Sequence, residues 1–80
     1  MKIKVIVTLK SGVLDPQGKA IQQTLNGMGF ANVKDVRQGK YFEIDTKESD
    51  PKKAKDKVDE MCKKLLANLV IENYKIIDAQ

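Results

Sequence analysis

The chain has no histidine and no tryptophan, and its single cysteine is Cys62, among 80 residues. Without histidine there can be no Ser-His-Asp or Cys-His catalytic set and no imidazole metal ligand. One cysteine excludes an internal disulfide, so a reducing compartment is the default expectation. No apolar run approaches the roughly 20 residues that a membrane-spanning helix needs. The N-terminus carries no signal-peptide core. Aromatics are scarce as well, with two Phe and two Tyr. A chain of this size buries only about 60% of its unfolded surface, so its 41% hydrophobic residues form a thin core. The expectation is one small cytoplasmic domain over residues 1–80, without a membrane segment or cofactor of its own, that gains from docking onto a partner.

What is present is charge, unevenly placed. Residues 1–40 hold seven bases against Asp15 and Asp35, a net +5, and residues 41–80 hold eight bases against nine acids, a net −1. The lysine run of residues 51–57 lies in the nearly neutral half, where Glu48, Asp50, Asp56, Asp59 and Glu60 offset it. A nucleic-acid footprint would be an uncancelled basic stripe. The Asp59/Lys63 and Glu60/Lys64 spacing instead reads as a solvated helix face with acid before base at i,i+4. An RNA-recognition sheet would stack bases on two or three aromatics, but of the four here Phe42 belongs to the core pattern, and no Lys/Arg-Gly-Phe-Gly-Phe-type strand occurs. No nucleic-acid partner is expected.

Hydrophobic periodicity orders the elements. Residues 2–10 alternate, with Ile3, Val5, Val7 and Leu9 on one face, as a half-buried antiparallel strand does. Asp15-Pro16 reads as an N-cap followed by proline at the first helical position. A type I turn over residues 15–18 would instead start the helix about three residues later. Ile21, Leu25 and Met28 form its apolar stripe, and Gly29 is the terminating glycine. Residues 31–39 and 40–47 read as two strands. The second has Phe42 and Ile44 alternating with Tyr41, Glu43 and Asp45. The first is irregular, because Val33 and Val36 have opposite parity. Asp50-Pro51 repeats the cap-proline device, ahead of a helix with Ala54, Val58, Met61, Cys62 and Leu65 on its inner face. Residues 70–78 make a last strand. The order βαββαβ predicts an α+β, ferredoxin-like sandwich: a four-stranded antiparallel sheet with two helices on one face. Open strand edges in such a sheet favour a homodimer or higher oligomer.

Few residues offer chemistry. Gly12 and Gly18 bracket a strand-to-helix loop, but five residues separate them and Ala20 stands where a phosphate loop needs a hydroxyl. Cys62 reads as a core thiol, with no basic residue placed to activate it. No carboxylate pair sits in an apolar setting for acid–base work. Arg37, the only arginine, has the geometry to clamp a phosphate, although a surface strand arginine is the plainer reading. The loop itself can be a capping turn or a partner-contact loop that presents apolar side chains. On the second reading the subunit contact comprises Lys10, Gly12, Val13, Leu14, Asp15, Pro16, Gln17 and Arg37, with no catalytic, cofactor-binding or metal-binding residue.

Residues 9–21 (LKSGVLDPQGKAI), Gly29-Phe30, residues 33–40 (VKDVRQGK), residues 62–68 (CKKLLAN) and Val70-Ile71-Glu72 together resemble the PurS family. That family is the small subunit of bacterial and archaeal phosphoribosylformylglycinamidine (FGAM) synthase. The resemblance runs through essentially the whole chain. Leu69 departs from it, since the family commonly has proline there, which leaves the end of the second helix open. The resemblance implies a non-catalytic subunit of an ATP-dependent ligase complex of purine biosynthesis, with glutamine as amide donor. It would dimerise, bridge the synthetase subunit (PurL) and the glutaminase subunit (PurQ), and help ammonia pass between them. ATP and Mg would be bound by the synthetase. The alternative on the same fold is an ACT-like regulatory domain that binds small molecules.

Overall fold

The structure is a computed structural model and describes residues 1–79; Gln80 of the expected domain lies outside them. Strand β1 (Lys2–Leu9) is central. Strand β2 (Gly39–Asp45) pairs with one side of it and β3 (Glu72–Ala79) with the other, both antiparallel. Alternation places Ile3, Val5 and Val7 fully out of solvent on one face. Helix α2 (Pro51–Met61) covers that face with Ala54 and Val58, and Cys62 completes the cluster. Ala54, Val58 and Cys62 recur every four residues, so they form one stripe along the helix.

Both helices start at a cap-proline pair, which for α1 is the earlier of the two starts left open. Asp15 caps α1 (Pro16–Gly27), its carboxylate accepting the Gly18 amide at 2.9 Å. Asp50 caps α2, accepting the Lys52 amide at 3.0 Å. Gly29 ends α1 at φ +101°, with its amide on the Asn26 carbonyl and the Phe30 amide on the Leu25 carbonyl. That pair of bonds is the left-handed glycine cap.

Three expectations are corrected. First, the sheet has three strands among the described residues, in the order β2-β1-β3, and residues 30–38 form no strand. The backbone of that segment is engaged elsewhere. The Val33 carbonyl accepts from Asn26 Nδ2, and the Gln38 amide donates to Asp15. Its Val33/Val36 spacing never offered a period-two face.

Second, α1 does not share the sheet face that α2 covers. Ile21 and Met28 are exposed and Leu25 is half-buried, so the stripe has no core beneath it in this chain. The molecule is accordingly long, 48 × 25 × 14 Å, with a radius of gyration of 16.0 Å. A close-packed chain of this length would have about 12 Å.

Third, Leu65 is 82% exposed and Met61 is exposed. One π-helical turn follows α2 at Cys62–Leu66, closed by the Ala67 amide on the Cys62 carbonyl. This wider turn leaves Leu66, not Leu65, packed against the core.

Candidate subunit-contact surface

Strand β1 ends at Leu9, and the chain then turns tightly. The Val13 amide donates to the Lys10 carbonyl at 3.1 Å, with Gly12 at φ +85° between them. That left-handed conformation is one glycine adopts freely. The Lys10 amide reaches across to the Ile71 carbonyl at 2.8 Å, which ties the loop to the turn before β3.

Two side chains, one from each side, tie the loop to the 36–38 segment. Arg37 Nη1 donates to the Val13 carbonyl at 2.8 Å, and Nη2 to the Lys10 carbonyl at 3.2 Å. Asp15 is only 7% exposed. Its Oδ1 accepts the Gly18 amide and its Oδ2 accepts the Gln38 amide at 2.6 Å. These bonds, the Gln38 amide foremost and then Gly18, hold the Asp15 carboxyl below the usual carboxylate range, and the nearby Arg37 charge adds to this. Gly18 makes the approach possible, because a Cβ there would lie 2.1 Å from the Val36 carbonyl oxygen.

The structure therefore brings all eight expected residues to one end of the sheet and divides them by role. Asp15, Arg37 and Gly12 shape the loop. Leu14 is 72% exposed, Pro16 and Gln17 are exposed, and Val13 is half-buried. Arg37 is not a strand residue, and each of its terminal nitrogens donates to a carbonyl of the loop. Beside the loop lies a cleft of about 270 Å³ whose lining includes Val7, Leu9, Gln17, Gln38, Lys40 and Glu72. Glu72 is buried, accepts the Asn68 amide at 2.7 Å and faces Lys40 Nζ at 3.5 Å. The two buried carboxylates of this end thus hold backbone in place instead of standing free for acid–base work.

Sequence reasoning missed the part of Glu72 and the apolar turn that precedes it. Leu69, Val70 and Ile71 are exposed, and only their run of three apolar residues outside the periodic pattern signalled it. Cys62 is buried as expected, and burial, with Asp59 nearby, pushes its thiol up. Among the described residues no group of three or more Cys, Asp or Glu side chains could hold a metal ion. No helix among them is long and apolar enough to cross a membrane.

Residues 2–79 match the family model described as PurS: phosphoribosylformylglycinamidine (FGAM) synthase. The FGAM synthase subunit PurS of Methanocaldococcus jannaschii is 51% identical over 94% of this chain and 90% of its own. That of Bacillus subtilis is 53% identical over 92% and 87%. Among solved structures, B. subtilis PurS superposes at a TM-score of 0.87 with 49% identity, covering 99% of this chain and 98% of that one. A chain from the structure of PurLQS from Thermotoga maritima superposes at 0.85 with 30% identity, covering 99% of both. Nothing in these matches supports the ACT-like alternative. A full-length family match and relatives above half identity lead to one conclusion: the chain belongs to the PurS family of FGAM synthase.

Proposed function

We propose that this chain is the non-catalytic bridging subunit of the FGAM synthase complex. It holds the glutaminase (PurQ) against the synthetase (PurL), so that ammonia released from glutamine reaches activated formylglycinamide ribonucleotide. The products are FGAM, glutamate, ADP and phosphate. ATP and Mg are assigned to the synthetase, and the complex to the cytoplasm. Free ammonia is mostly protonated at neutral pH and diffuses away, so the two active sites must be held in contact.

The observation that carries this reading is the loop of residues 10–17. A helix cap needs Asp15 and Pro16, but it does not need a neighbouring Leu14 that is 72% exposed on a backbone fixed by two Arg37 bonds. A rigid loop with an apolar tip suits docking, because little conformational entropy is lost on binding. The solved PurLQS structure of a relative supports the same reading. Lys10, Gly12, Val13, Leu14, Asp15, Pro16, Gln17 and Arg37 are the proposed contact residues, Leu14 as anchor and Arg37 and Asp15 as positioning groups. Replacing Val13 and Leu14 by Asp is expected to abolish assembly of the three components while leaving the circular dichroism and melting temperature of the isolated chain unchanged. A complex of normal affinity with that variant would remove the loop from the interface.

We also propose that the subunit self-associates as a homodimer or higher oligomer. The uncovered α1 stripe and the open β2 and β3 edges support this, because such surfaces are stabilised when another chain covers them.

A further inference from the structure

The turn that leads into β3 departs from the usual chemistry of turns. Reverse turns favour Gly, Pro, Asn, Asp and Ser, yet residues 69–71 are Leu-Val-Ile, all exposed, with Val70 at 82%. The turn is held by its own backbone and by Asn68. The Val70 amide donates to Asn68 Oδ1 at 3.2 Å, and the Ile71 and Glu72 amides donate to the Asn68 carbonyl at 3.0 and 2.7 Å. The Asn68 amide in turn donates to the buried Glu72 carboxylate at 2.7 Å. None of these bonds involves the side chain of Leu69, Val70 or Ile71. Polar residues would serve the turn as well, so the turn itself does not account for three apolar ones.

Lys10 makes this turn and the loop of residues 10–17 one unit. Its amide donates to the Ile71 carbonyl, and its carbonyl accepts from the Val13 amide and from Arg37 Nη2. Leu14 and Val70 are thus two highly exposed apolar side chains on backbones joined through one residue. The charged side chains bonded to the two turns are sorted by sign. Asp15 and Glu72 are buried and spend their carboxylates inward, on backbone amides. Arg37, and Lys40 which faces Glu72, are exposed.

We infer that Val70, with Ile71 beside it, is a second apolar anchor for the same subunit of the complex that Leu14 contacts, and that this partner offers an apolar socket rimmed by Asp or Glu side chains. The inference rests on the loop contact proposed above and extends it to the turn before β3. A single exposed apolar side chain needs no explanation, but Leu14, Leu69, Val70 and Ile71 on two tied turns form a patch. An apolar centre with charge kept to the rim is the anatomy of a protein interface. Because the two turns are already joined, seating one anchor places the other at little further cost in conformational entropy. Carboxylates on the partner would steer it towards Arg37 and Lys40, whereas a basic surface would be rejected.

The test compares Val70→Asp with Val70→Lys in assembly with purified synthetase and glutaminase. Both variants lose the apolar side chain, and only lysine keeps the sign of charge that an acidic rim attracts. Assembly is expected to weaken roughly tenfold or more with Val70→Asp and by less with Val70→Lys, while circular dichroism and melting temperature stay at wild type. A second measurement locates the contact and decides the matter if a charged variant proves unfolded. Val70→Cys and Leu14→Cys, each carrying a photoreactive maleimide while Cys62 stays buried, are expected to cross-link to the same subunit. Cross-links from the two positions to different subunits, or from residue 70 to a second copy of this chain, would overturn the shared anchor. Val70→Asp assembling no worse than Val70→Lys would overturn the acidic rim. Normal assembly with Val70→Asp, where the Val13→Asp, Leu14→Asp variant fails to assemble, would overturn the second anchor and leave the loop contact standing. Normal assembly with both would overturn the loop contact as well.

Discussion

The Asp15 carboxylate holds the Gln38 backbone amide at 2.6 Å across 23 residues of sequence. With its second oxygen it caps α1 through Gly18. One side chain therefore joins the start of the helix to the segment that leads into β2. The carboxylate form makes both bonds, which is why its pKa is lowered on folding. A lowered folded pKa contributes stability that is present above the ordinary value of 3.8 and lost as pH falls through the folded value. Asp15→Asn keeps the size of the group but not its charge. Its melting temperature is expected below wild type at pH 7, with the gap closing towards pH 2. A gap independent of pH would mean that the charge of Asp15 does not matter.

Gly18 and Gly27 lie in the same helix and should respond oppositely to alanine. A Cβ at Gly18 would meet the Val36 carbonyl at 2.1 Å and the Asp15 carboxylate at 2.8 Å, whereas one at Gly27 meets nothing within 4 Å. The backbone carbonyl cannot step aside cheaply. Gly18→Ala is expected to cost about 1–3 kcal/mol, as overpacking does. Gly27→Ala is expected to gain up to about 1 kcal/mol, by restricting the unfolded chain. Urea denaturation of the two variants checks the contrast, and equal effects would refute the close approach of α1 to residue 36.

These two glycines also mark how far the sequence can be read. The cap-proline pairs at 15–16 and 50–51 are local chemistry, and both helices start where that chemistry says. Alternation at Ile3, Val5 and Val7 is equally local and gives the buried face of β1. Residues 31–38 are different, because their backbone partners are Asn26 and Asp15, and no window around Val33 or Val36 contains that information. Leu65 was misplaced because a periodic pattern assumes 3.6 residues per turn through Cys62, where the chain takes a wider π-helical turn. Leu14 was legible as a loop residue. Its exposure was legible too, but the fixing of the backbone beside it was not, since that depends on Arg37 reaching the Val13 carbonyl from 24 residues away.

Tyr74 on β3 donates its hydroxyl to Asp59 on α2, and Lys63 Nζ pairs with the same carboxylate at 2.9 Å. The Asp59 bond is the main cause that raises the phenol above its ordinary pKa of 10.0, and burial adds to it. In a Tyr41→Phe background Tyr74 is the only phenol, and its ionisation can be followed by ultraviolet absorbance. It is expected to titrate above pH 10.0, and Asp59→Asn is expected to move the midpoint down. The sign follows from charge: ionising a phenol beside a carboxylate is unfavourable, and the amide removes that repulsion. A midpoint indifferent to Asp59→Asn would dissociate the two side chains.

Cys62 closes the core at the point where α2 passes into its π-helical turn, and its side chain is fully out of solvent. Burial and the Asp59 charge both disfavour the thiolate, the form that reacts with disulfide reagents. The folded chain is therefore expected to resist a thiol-specific disulfide reagent at pH 8, and to react at once when urea unfolds it. At a fixed concentration of reagent the rate should follow the unfolded fraction. Substitution separates packing from polarity at the same site. Cys62→Ser keeps the size of the side chain but buries a hydroxyl among Val5, Val58 and their neighbours, at a cost of about 1–3 kcal/mol unless a new hydrogen bond forms. Cys62→Ala loses the sulfur but buries nothing polar, so its cost should be the smaller of the two. Rapid labelling of the native chain, or serine tolerated better than alanine, would show that Cys62 is not the apolar keystone of this core.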